Sequence, residues 1–118
     1  MEKKKDAFKQ CDCDKFIMAV NDALEVLNGR WKLSILVSLK FGNKRFNEIS
    51  KEIGGITDKM LSKELKSLEV NQLVARTVYD TFPPTVEYTI TEHGQSLDAV
   101  ILSLRDWGVV HRKRIIGK

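Results

Sequence analysis

Lys59, Lys63 and Lys66 recur at i, i+4 and i+7 within residues 58–70. At ~100° per residue that spacing lines them along one face of an α-helix. Leu61, Leu65 and Leu68 have the same spacing and fall almost opposite. A leucine stripe belongs in a core, so the lysines point outward with Ser62 beside them. Outward ammonium groups and hydroxyls can hold phosphates and donate to base edges in a DNA groove. A lysine stripe is also what any solvated helix face looks like, so the elements around it have to decide.

The preceding stretch repeats the burial pattern with Phe46, Ile49 and Ile53. Between the two lie Gly54-Gly55-Ile56-Thr57, a pair of glycines for a sharp turn and a threonine suited to cap the second helix. Helix, glycine turn and a helix with a polar outer face form a helix-turn-helix. Beyond Asn71, a residue able to end the helix in the left-handed conformation, Leu73 to Tyr79 is rich in valine, threonine and tyrosine and reads as a strand. Asp80-Thr81-Phe82-Pro83-Pro84 breaks it, and Thr85 to Ile90 alternates as a second strand. A hairpin directly after a helix-turn-helix is a wing.

Upstream, Met1 to Lys15 is polar and reads as a flexible arm, followed by one domain over 16–118. A helix from about Phe16 carries Val20, Leu24 and Leu27 and stops at Asn28-Gly29. A central, mostly apolar helix runs from about Arg30 to Lys40. After the wing, Thr91 caps a last helix running to about Arg114, with Leu97, Val100, Ile101, Leu104, Trp107 and Val110 on a broad apolar face. The first and last helices carry more apolar surface than so small a domain can cover, and Val20, Leu24, Val100, Leu104 and Trp107 are expected at a homodimer interface. The fold class is therefore mainly α with a small β-hairpin, a winged helix-turn-helix dimeric through its first and last helices.

The chain has 118 residues, 42% of them hydrophobic, and a net charge of +4. That fits a single folded domain with an anionic partner. No apolar run is long enough to cross a bilayer, and no apolar segment follows the N-terminal lysines as in a secretory signal. With its two cysteines too close together for an ordinary disulfide, the chain is expected in the cytoplasm. No metal site, cofactor site or catalytic motif is expected: His93 and His111 belong to no HExxH, and there is no phosphate-binding glycine loop or nucleophile elbow.

With these elements in order, the sequence resembles the HxlR-type winged-helix transcriptional regulators, bacterial and archaeal dimeric relatives of the MarR regulators. The resemblance rests on Asn28-Gly29-Arg30-Trp31-Lys32, Arg45-Phe46-Asn47-Glu48-Ile49, Ile56 to Leu61, the junction from Leu65 to Arg76, Pro83-Pro84 with Val86-Glu87-Tyr88, Thr91-Glu92-His93-Gly94 and Trp107-Gly108. It covers about Ala19 to His111 and implies a regulator that binds double-stranded DNA. Where the family has glycine before Leu73, this chain has Asn71-Gln72, with Asn71 expected to take the same backbone conformation. Many members carry a cysteine shortly before the first helix, oxidant-sensing in some. That position falls near Met18 here, while Cys11 and Cys13, the candidates for a redox response, lie earlier.

The expected function is operator binding by a homodimer on an inverted repeat. Thr57, Lys59, Ser62 and Lys63 are expected at the major groove, and Lys66 on the DNA backbone. Arg45 reaches a phosphate or pairs with Glu48; Arg76 contacts a phosphate or makes a structural pair; Thr85 belongs to the wing near the minor groove. Asp58 caps the recognition helix or accepts from cytosine, and Asp58, Glu64 and Glu69 offset the lysines. The alternative is a winged helix that binds another protein and no operator. An effector, a small molecule or an oxidant, stays open.

Overall fold

The structure is a computed structural model that describes residues 10–118, with side chains from Cys13 onward. Helix α1 (Gln10–Leu27) is followed by α2 (Lys32–Lys40), α3 (Phe46–Ile53) and α4 (Asp58–Val70), then strands β1 (Val74–Tyr79) and β2 (Thr85–Ile90), a single-turn α5 (Glu92–Gln95) and α6 (Asp98–Ile116). The winged helix-turn-helix order is as expected.

Helix α1 is already formed at Gln10, the first described residue, inside the stretch expected as a mobile arm. Apolar periodicity begins only at Phe16, but no glycine or proline stops the helix from extending over the polar residues before it. The rest of the arm, and the side chain of Cys11, lie outside the described residues.

The core is built by α2 and α4. Ile35, Leu36 and Leu39 meet Leu61, Leu65 and Leu68, and Ile49, Ile56, Leu73 and Val74 complete the cluster. Each fully buried aliphatic side chain contributes roughly 1.5–3 kcal/mol over its exposed state. Helix α3 starts with the Glu48 carboxylate accepting the Arg45 backbone N–H at 2.8 Å. The turn into α4 uses Gly54 and Gly55 at φ +70° and +73°, a region other residues enter at a cost. Thr57 caps α4 as expected, its hydroxyl accepting from the Met60 N–H at 3.1 Å.

The end of α4 differs from expectation. Asn71 stays at φ −84°, and Gln72 takes the left-handed conformation at φ +62°. The Leu73 N–H reaches Leu68 O at 2.9 Å and the Gln72 N–H reaches Glu69 O at 2.9 Å, the paired bonds of a Schellman ending. That pattern fixes the left-handed residue immediately before Leu73. Asn71 instead spends its side-chain amide on Ser67 O, at 2.9 Å.

Strands β1 and β2 pair antiparallel from Val74–Ile90 to Tyr79–Thr85. Lys44 adds a single bridge to β2, exchanging backbone hydrogen bonds of 3.0 and 2.7 Å with Tyr88. The last helix, expected unbroken from Thr91, is split. Thr91 caps only α5, its hydroxyl accepting the Gly94 N–H at 2.9 Å and donating to Gln72 O at 2.6 Å. Gly94 lies so close to the residue before β1 that a Cβ there would sit 2.3 Å from Leu73 O. Leu97 N–H then bonds back to Gly94 O at 3.1 Å, a tight turn from which α6 leaves in a new direction.

Candidate nucleic-acid interface

Helix α4 shows two faces. Leu61, Leu65 and Leu68 are buried, while Lys59, Ser62, Lys63 and Lys66 are exposed. No described residue makes an ion pair or side-chain hydrogen bond with Lys59, Lys63 or Lys66. Their ammonium groups stay available to an anion. Thr57, at the head of the helix, is exposed, but its hydroxyl oxygen is engaged in capping. Asp58 makes no capping hydrogen bond; it sits in the first turn, where a negative charge meets the positive end of the helix dipole.

Glu64 is not on the outer face. It is buried with Lys32 of α2, whose ammonium lies 3.2 Å from both carboxylate oxygens. The same ammonium donates to Asn28 O at 3.4 Å and Asn28 Oδ1 at 3.3 Å. Two charges are tolerated inside because each satisfies the other and neutral acceptors fill the remaining donor sites. This pair leaves only Asp58 and Glu69 to offset the three lysines, so the outer face is more cationic than the count of acids in α4 suggests. A signal was present in the sequence: Glu64 continues the inward stripe Leu61, Leu65, Leu68, and Lys32 continues Ile35, Leu36, Leu39, each at helical spacing.

The wing joins this face. Ser62, Lys66 and Glu69 from α4 share one polar cleft with Arg76 of β1 and Tyr88 of β2. Arg76 is exposed and makes no structural ion pair with any described residue. Arg45 is likewise exposed; Glu48 takes its backbone N–H and not its guanidinium, so the expected alternative of a salt bridge is not formed. Thr85 is half-buried, and its hydroxyl lies 2.9 Å from that of Thr81, inside the wing loop. Further along the wing, Glu87 accepts from the Tyr79 hydroxyl at 3.1 Å and so holds that phenol above its ordinary pKa. Beside the helix-turn-helix, the Lys44 ammonium pairs with Glu52 and keeps that carboxyl below its ordinary pKa.

The residues expected at a dimer interface are all exposed in the single chain. Val20 and Leu24 lie on α1, and Val100, Leu104 and Trp107 on α6, with Leu24 61% and Trp107 67% accessible. Trp107 stacks on His111 with ring centroids 4.7 Å apart. Leu97, just before α6, packs half-buried against the core, and Ile101 is half-buried. His93 falls in α5, not in the long last helix. Cys13 is a free, half-buried thiol on α1. Among the described residues no group of His, Cys, Asp and Glu is arranged to hold a metal ion, and no helix is long and apolar enough to cross a membrane.

Comparison with known proteins agrees with this arrangement. The family model for HxlR-like helix-turn-helix proteins matches residues 26–115. YtcD of Bacillus subtilis (strain 168), named an HTH-type transcriptional regulator, is 40% identical over 103 residues, which span 87% of this chain and 82% of YtcD. YdeP of the same organism, named likewise, is 43% identical over 96 residues, 81% of this chain and 75% of YdeP. Among solved structures, a redox regulator, HypR in its reduced form, superposes with a TM-score of 0.78 at 36% identity, over 85% of this chain and 99% of HypR.

Proposed function

The chain belongs to the HxlR-like helix-turn-helix family, and from that premise we propose that it works as a homodimer reading an inverted-repeat operator. It is a DNA-binding transcriptional regulator. In the proposed complex α4 enters the major groove, with Lys59, Ser62 and Lys63 at base edges and Thr57 at the mouth of the groove. Lys66, Arg76 and Arg45 hold phosphates on either side, and Thr85 steadies the wing beside the minor groove. The observation that carries this reading is the cleft shared by Ser62, Lys66 and Arg76, which joins the unpaired cations of α4 to the wing.

The dimer is formed by α1 and α6. Val20, Leu24, Val100, Leu104 and Trp107 are too extensively exposed, and too closely grouped on two helices, for a protein that works as a single chain. Pairing two copies would set the recognition helices about one DNA turn apart, ~34 Å. The Lys32–Glu64 pair, tied to Asn28 just beyond α1, would carry the position of the dimer helix to the recognition helix. In this reading the protein acts in the cytoplasm, by binding and not by catalysis. Regulation by a thiol fits the proposal, since Cys13 lies on α1 and HypR is named a redox regulator. Mild oxidation is then expected to change the protein's mass and weaken its hold on DNA; an unchanged mass and affinity would remove the thiol.

Duplexes selected by the protein from a random-sequence pool, titrated by fluorescence anisotropy at several salt concentrations, test the main reading. Tight binding to a selected inverted repeat over its scrambled control, with log affinity falling linearly with log salt, is the expected result. Equal binding to both duplexes at every salt concentration would overturn it.

A further inference from the structure

Phe82 stands at the tip of the wing, between β1 and β2, and is fully accessible at 102%. No other large apolar residue of the described chain is so exposed; Phe41 follows at 79%. The other accessible apolar residues concentrate on α1 and α6, the faces assigned to the second copy. Phe82 belongs to neither helix, and the hairpin carries it away from them, because the end that meets α5 is the opposite one, at Val74 and Ile90.

The loop is held without the ring. The Thr81 hydroxyl donates to Pro83 O at 2.7 Å and lies 2.9 Å from the Thr85 hydroxyl, while the Thr81 N–H bonds to Tyr79 O at 2.9 Å. One strand residue pair inward, Tyr79 is braced on Glu87. The polar groups organise the tip and leave the ring presented to solvent on a fixed base.

We propose that Phe82 is an apolar wedge that seats in the DNA minor groove beside each half-site and gives the regulator a preference for easily deformed flanking steps. The inference rests on the DNA-binding reading above. Its geometry follows from the hairpin: Arg76, in the cleft with Lys66, marks the phosphate rail, and the strand runs from there to Tyr79 at about 3.3 Å per residue. The tip thus lies roughly 10 Å or more beyond the rail, far enough to reach a groove next to the one that α4 would enter. There the wing offers no cation. Residues 80–84 contain no lysine or arginine, and Asp80 repels phosphates. A cationic tip would grip any sequence; a ring beside a carboxylate gains only where the groove widens or a step unstacks to admit it. Pyrimidine–purine steps such as TA deform most cheaply. An aromatic ring cannot read hydrogen-bonding edges, so the preference is for shape and not for base identity as such.

The test uses the full chain and a duplex selected by the wild type, its core constant and its flanks changed from TA-containing to G·C-only. Wild type is expected to favour the TA flanks by about tenfold, and Phe82→Ala to lose most of that preference while keeping its selectivity for the core and its salt slope. Phe82→Leu, which restores an apolar wedge, is expected to recover part of it. Melting temperatures should match in all three, since the ring touches nothing that holds the fold. A Phe82→Ala protein with wild-type flank preference overturns the wedge and leaves the operator reading standing. Failure of the wild type to select any duplex removes the operator reading, and the wedge with it.

Discussion

In α2 and α4 the inward apolar stripes are sealed: Ile35, Leu36, Leu39, Leu61, Leu65 and Leu68 are each no more than 1% accessible. In α6 no residue is buried, although the helix carries Val100, Leu104, Trp107, Val109 and Val110. The two regions have comparable apolar content and opposite exposure. A core that closes on itself needs nothing more to be stable. Helices that leave their valines and tryptophan in water are shaped for a surface the single chain does not supply. In the proposed dimer the body reads DNA and the flanking helices set the spacing of its two copies.

The largest effect is expected where the flank is broken. Trp107→Glu places a charge on the exposed apolar face of α6. It should split the dimer and, through lost bivalency, lower operator affinity about a hundredfold or more. The body should keep its fold, read by far-UV circular dichroism. Retained affinity in a variant shown to be a single chain would break the division of labour.

Next comes the pair of neighbours at the centre of α4. Glu64→Ala strands the Lys32 ammonium inside the body and should cost about 3–5 kcal/mol in urea unfolding. Lys63→Ala, one residue earlier and exposed, should leave stability within about 0.5 kcal/mol. It should weaken DNA binding and lower the salt slope by about one. Adjacent residues with exchanged phenotypes would contradict the inward and outward faces of the helix.

The smallest effect is at the exit of that helix. Gln72 holds φ +62° with a side chain, and Gln72→Gly should stabilise the protein by about 0.5–1 kcal/mol without changing DNA affinity. Chemical denaturation measures it; a destabilised variant would mean that the Gln72 side chain contributes more than its backbone costs.

How much of this was legible depended on whether one element or two decided the outcome. The faces of α4, the Thr57 cap and the extent of β2 follow from a single segment's residues, and each is readable from it. The split between α5 and α6 is not, because it originates in the approach of Gly94 to the Leu73 carbonyl just before β1. The bridge from Lys44 to Tyr88 was hidden for the same reason, being a tertiary pairing of one residue. Conformational preference favours Asn71 over Gln72, but the two Schellman bonds fix the position by counting back from Leu73. Lys32 and Glu64 each sat at an inward spacing in its own helix. Either alone suggests an exposed charge, and only together do they read as a buried pair. For the interface, the unpaired state of Arg45 and Arg76 depended on what lay around them in space, which no spacing along the chain records.

Sedimentation equilibrium of the wild-type protein across a wide concentration range tests the central claim most directly. A dimer gives a mass twice that of the 13.5 kDa chain, held at concentrations where the operator is bound tightly. A single-chain mass at those same concentrations would contradict it, leaving the exposed faces of α1 and α6 without the partner the account gives them.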